Sequence, residues 1–118
     1  MVNDPDLPGF CRVIWNRHVP EMSDLTYGER EHIMSLVFAV EEVMRDVMQP
    51  DKVNLAALGN MVPHIHWHII PRYQDDAFFP GSVWSARTQE TAKATLEARV
   101  AMARKLPAAI RAEISQMY

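Results

Sequence analysis

Residues 64–70 read His-Ile-His-Trp-His-Ile-Ile, placing three of the chain's five histidines at alternate positions with only apolar residues between them. A period of two belongs to an extended strand, whose successive side chains point to opposite faces. The pattern predicts that His64, His66 and His68 share one face at intervals of roughly 6–7 Å, twice the strand rise. Ile65, Trp67 and Ile69 then point the other way, into a core. Imidazole has an unperturbed pKa of about 6.5, so near neutrality it can act as nucleophile, base, acid or ligand. Three in a row are hard to explain as filler, whereas two at i, i+2 can also reach a single metal ion.

The rest of the chain is ordinary for one globular domain. Its 118 residues are 48% apolar and 23% charged, with a formal net charge of -3. That balance offers no footprint for general nucleic-acid binding. No apolar run reaches the ~18 residues that span a bilayer, and no targeting segment is recognisable. With a single cysteine, Cys11, and no disulfide, a reducing cytoplasm is the expected location.

Phe10–Trp15 is rich in aromatic and β-branched residues and predicts a strand. Thr26-Tyr27-Gly28-Glu29 has the form of a capping box opening a helix that runs to about Met48 and stops before Pro50. Along it, Ile33, Leu36, Val37, Val40, Met44 and Val47 recur every three or four residues and face a sheet. Lys52–Leu58 reads as a second strand, broken by Gly59-Asn60. Val62–Ile70 is the histidine strand, with Pro71 ending the ladder. Residues 73–87 read as a loop. From about Thr88 the chain is helical again, and at Pro107 it either kinks or starts a new helix. The expected fold is α+β: a small antiparallel sheet with one long helix packed on it and a C-terminal helical tail. Residues 1–87 form the functional domain, and 88–118 are an extension of it.

The triad His64-Ile65-His66-Trp67-His68-Ile69-Ile70 resembles the signature of the histidine-triad (HIT) superfamily of nucleotide hydrolases and transferases. Pro71-Arg72 resembles its Fhit-like branch, the dinucleoside polyphosphate hydrolases. Leu58-Gly59-Asn60-Met61-Val62-Pro63 is similar to the family's approach to the triad, with Asn60 where relatives carry Gln. Pro8-Gly9-Phe10 and Arg17–Leu25 resemble the Pro-Gly-His strand and the loop into the first helix. The likeness runs from about Val2 to Arg72. Relatives carry one or two strands before the Pro-Gly turn, so the sequence either lacks them or belongs to a minimal member. Three departures stand out: Phe10 in place of histidine, a loop shortened to Ala56-Ala57-Leu58-Gly59, and Trp15 in place of proline.

The resemblance implies catalysis by His66 as nucleophile, forming a nucleotidyl-histidine on the way to cleaving a phosphoanhydride. It implies that His68 contacts the scissile phosphate or the leaving-group oxygen, and that His64 supports the hydrogen-bond network. Asn60, His18, Asn3 and Arg72 fall at or near positions that would contact substrate: Asn60 and Arg72 the phosphates, Asn3 the ribose, and His18 the imidazole cluster. Trp67 is expected in the core, and Trp84 at the nucleotide pocket or a subunit interface. No covalent cofactor and no resident metal are implied, only a divalent cation accompanying the nucleotide. The expected partners are a nucleotide or dinucleotide and a second copy of the chain in a homodimer, not nucleic acid or membrane. Alternatives left open are a phosphoramidase or nucleotidyl transferase of the same family, a nucleotide-binding regulator, and a His-x-His metal protein using His18 or Cys11 as a further ligand.

Overall fold

The computed structural model describes residues 1–118. Its elements are β1 (Cys11–Ile14), a 3-10 turn at Met22–Asp24, α1 (Tyr27–Met48), β2 (Lys52–Ala56), β3 (His66–Arg72), α2 (Lys93–Ala103) and α3 (Leu106–Met117). The architecture is α+β. The three strands form one antiparallel sheet in the order β1-β3-β2, so the histidine strand is central. Its register pairs Arg12 with His68 and Ile14 with His66 on one side, and Ala56 with His68 on the other.

Helix α1 starts and stops where its sequence says it should. The Thr26 hydroxyl accepts from the Glu29 N–H, and the Glu29 carboxylate accepts from the Thr26 N–H, which satisfies two otherwise orphaned donors. At the other end Gln49 turns left-handed, at φ 47, just before Pro50. Ile33, Val37, Val40, Met44 and Met48 are buried along the helix. Val37, Val40, Met44 and Met48 pack on the face of the sheet that carries Trp67 and Ile69, in a core with Cys11, Val53, Ala103 and Leu106. Trp67 is half-buried and bridges this core and a smaller cluster of Leu25, Ile33 and Ile65.

The strand boundaries differ from the expected ones. β2 ends at Ala56 rather than Leu58, and β3 begins at His66 rather than Val62. Gly59, at φ 82, turns the chain out of the ladder, and Pro63 has no N–H with which to rejoin it. β3 also continues through Pro71 to Arg72. The Trp15–Ile65 and Asp51–Arg72 main-chain bonds show that odd-numbered residues of β3 face β1 and even-numbered ones face β2. The Pro71 nitrogen therefore points to the side where β1 has already ended, and its missing donor interrupts nothing.

The tail becomes helical at Lys93, five residues later than expected. Residues 88–91 are strapped to the preceding loop instead. The Thr88 and Gln89 amides donate to the Ala77 carbonyl, the Gln89 side chain to those of Gln74 and Asp76, and the Thr91 hydroxyl to that of Asp75. Pro107 lies in the first turn of a separate helix, α3, rather than at a kink. Ala103 and Leu106 join the main core, with Met102 and Ile110 against it. Val100 and Met117 are more than a third exposed. No helix is long and apolar enough to cross a membrane.

Candidate active site

His66 and His68 project from the face of β3 opposite α1. Their ring centroids are 4.9 Å apart, nearly perpendicular, which is closer than strand spacing alone because the rings lean together. The Nδ1 of His66 lies 2.6 Å from the carbonyl oxygen of His64. A carbonyl only accepts, so Nδ1 carries the proton and donates, leaving Nε2 with its lone pair free. His66 lines a small cleft with His64, Pro20, Glu21, Met22 and the shortened loop at Ala57–Gly59.

His64 precedes the strand rather than belonging to it. Its Nε2 donates to the Trp15 carbonyl, which leaves its Nδ1 to accept from Nδ1 of His18 at 3.0 Å. A main-chain carbonyl thus orders a pair of imidazoles, and His18 joins the cluster through His64. His68 is buried and has no such anchor; its Nδ1 lacks any partner. Burial first, then the neighbouring His66 and the Arg12 guanidinium, push its pKa below the usual histidine value.

The remaining expected site residues divide. Asn60 sits exposed on the loop before the triad and makes no hydrogen bond within the protein. Asn3 lines a cavity with Val100, Ala103, Arg104 and Pro107 that none of the histidines borders. Arg72 does not meet the expectation of a phosphate-binding residue. It is 3% exposed, and each of its guanidinium nitrogens donates: Nε and Nη2 to Asp76, Nη1 to Asn54 Oδ1 at 2.7 Å, and Nη2 also to the Gly81 carbonyl at 2.7 Å. Asp76 in turn accepts from the amides of Tyr73, Phe78 and Phe79. Burial alone would raise the Asp76 pKa, but the bonds from Arg72, Tyr73 and Phe78 outweigh it and hold the carboxyl below its ordinary range. This network had no readable signal, since an Arg and an Asp four residues apart in a loop look like surface charges.

Cys11 lies on the α1 side of the sheet, away from the histidine row. Its thiol donates to the Gly9 carbonyl from within the α1-side core, and burial raises its pKa. No group of three His, Cys, Asp or Glu side chains converges as a metal site. Phe10, the departure from the usual histidine, stands edge-on to His68 at 5.6 Å. The fold and site together define an α+β domain whose central strand presents a histidine row with two of its tautomers set by main-chain carbonyls. The chain belongs to the HIT family, whose HIT-domain model matches residues 1–75.

Among curated relatives it is 38% identical over 77 residues to a bis(5'-nucleosyl)-tetraphosphatase [asymmetrical] of Schizosaccharomyces pombe, covering 61% of this chain and 42% of the relative. It is 32% identical over 81 residues to an AP-4-A phosphorylase of Mycobacterium tuberculosis, covering 64% of this chain and 42% of that one. The chain thus matches less than half the length of either. Among solved structures, a histidine triad protein from Marinobacter aquaeolei is 29% identical, with a TM-score of 0.75 over 94% of this chain and 80% of that one. One from Bradyrhizobium japonicum is also 29% identical, with a TM-score of 0.71 over 88% of this chain and 78% of that one.

Proposed function

We propose that the protein cleaves a phosphoanhydride of a dinucleoside polyphosphate through a nucleotidyl intermediate on His66. The observation that carries this reading is the His66 Nδ1–H bond to the His64 carbonyl, which leaves Nε2 as a bare nucleophile beside the cleft. Nε2 attacks the α-phosphorus; an N–P bond forms as the P–O bond to the leaving nucleotide breaks. His68, held neutral, faces that leaving oxygen. Water then attacks the same phosphorus, the N–P bond breaks, and a nucleoside monophosphate departs with Nε2 restored. Asn60 donates to a phosphate oxygen, and His18 supports the imidazole cluster through His64. A divalent cation accompanying the nucleotide would be held by the substrate's own phosphates and would neutralise charge there.

A second reading is favoured by the relative named as a phosphorylase. Inorganic phosphate, rather than water, would take the nucleotidyl group. Product analysis with a symmetrical dinucleoside tetraphosphate separates the two. Hydrolysis yields monophosphate plus triphosphate, whereas phosphorolysis yields diphosphate plus triphosphate and stops without added phosphate. An acid-labile nucleotide adduct mapped to His66 is expected in either case. Turnover with no adduct on any histidine would remove the covalent mechanism.

We also propose a homodimer, supported by the sheet itself. β1 and β2 each have one unpaired edge, and such edges call for covering. Sedimentation should give about twice the mass of one chain; a monomer at all accessible concentrations would overturn this.

A further inference from the structure

His64 and His66 are each oriented by a main-chain carbonyl, but His68 is not. Its Nδ1 is sealed and unpartnered, and the groups around its ring are aromatic. Trp84 stands edge-on at 5.0 Å, Phe10 at 5.6 Å and His66 at 4.9 Å. We propose that Trp84, braced by the buried Arg72–Asp76 pair, is a positioning residue that holds His68 at its angle beside His66 and keeps it dry.

The brace can be traced bond by bond. Arg72 lies on the same strand face as His68, four residues on. Through Asp76 it anchors the amides of Tyr73, Phe78 and Phe79, and it grips the Gly81 carbonyl directly. Two tight turns, Gly81 N–H to Phe78 O and Ser85 N–H to Ser82 O, then carry the chain across to Trp84. The first needs glycine for space: a Cβ at residue 81 would meet Ser85 Oγ at 2.7 Å and the Phe78 carbonyl at 3.1 Å. Trp84 itself is 52% exposed and belongs to none of the core clusters. The indole is therefore kept on His68 by the loop beneath it, not by burial of its own.

The charged and titratable groups facing His68 are His66 from β3 and Arg12 from β1. β2 contributes only Ala56 at that rung, and the flanking loops contribute Phe10 and Trp84. Taking the indole away admits water while leaving His66 and Arg12 in place, so the imidazolium becomes easier to form. The kinetic consequence rests on the proposed nucleotidyl chemistry; the packing of His68 does not.

The test is a proton NMR titration of the histidine Cε1–H resonances in the full chain, for wild type, Trp84→Ala and Trp84→Phe. In Trp84→Ala the His68 pKa should rise by about half a unit or more, with Trp84→Phe returning it toward wild type and the His18 and His64 resonances unmoved. In parallel, kcat should fall roughly tenfold in Trp84→Ala, part of the 10²–10⁴ that a placed acid–base group contributes, with KM changing less. Arg72→Lys, which keeps the charge but loses the fork, should shift His68 the same way; an unmoved His68 there would remove the brace from the proposal. A folded Trp84→Ala protein with wild-type His68 titration overturns it. A shifted His68 in a protein that turns over no dinucleotide overturns the functional reading instead and upholds the packing role.

Discussion

Replacing His66 by alanine should reduce kcat by on the order of 10⁵-fold or more, comparable to loss of the nucleophile in other covalent enzymes, while nucleotide binding stays measurable. A nucleophile contributes to the chemical step far more than to ground-state affinity. The substitution touches little of the fold, since His66 lies on the sheet face opposite α1 and only partly buried. Steady-state turnover beside equilibrium binding of a non-hydrolysable dinucleotide provides the check. Near wild-type turnover by His66→Ala would place the chemistry elsewhere.

The largest stability effect is expected at Asp76. Asp76→Ala strands the Arg72 guanidinium, 3% exposed, and orphans three main-chain donors. Breaking a buried pair from one side costs about 3–5 kcal/mol, against a total stability of about 5–15 kcal/mol for a domain. Thermal unfolding should show Tm falling by about 10–20 °C. Arg72→Met combined with Asp76→Leu should recover only part of that loss: no charge is then left buried, but the amides of Tyr73, Phe78 and Phe79 still lack an acceptor. The pair also has a pH signature. The folded Asp76 pKa lies below its unfolded value, so its contribution is complete above the ordinary carboxylate range and is lost as pH falls through the lowered value. Asp76→Ala should therefore flatten the acid limb of the stability curve. Unchanged melting at neutral pH would show that the network carries no stability.

The fold was largely legible because its signals are local. Thr26 and Glu29 cap α1 by their own chemistry, and the alternation from Ile65 to Ile69 assigns the two faces of β3 without reference to anything distant. His66 could be singled out on the resemblance, but the reason its Nε2 is free is a main-chain carbonyl, which no side-chain pattern encodes. The surroundings of Arg72 were not legible for a related reason. Its partners Asn54, Asp76 and Gly81 are gathered only when β2 and the 73–85 loop close around β3, and the strand's length past Pro71 depends on where β1 happens to stop. The strap at residues 88–91 escaped because Thr and Gln side chains that bond to loop carbonyls leave no periodic trace.

The central place of β3 has a consequence for how the molecule fails. His66 and His68 share seven residues of backbone with Ile69 and Ile70, both fully buried, and with the Arg72 clamp. Amides in a strand flanked on both sides exchange with solvent through the highest-energy openings a domain has, while loops such as 57–63 open at little cost. His66 and His68 therefore have no private unfolding route. Heat or denaturant is expected to unseat His66 and His68 only when the whole domain lets go.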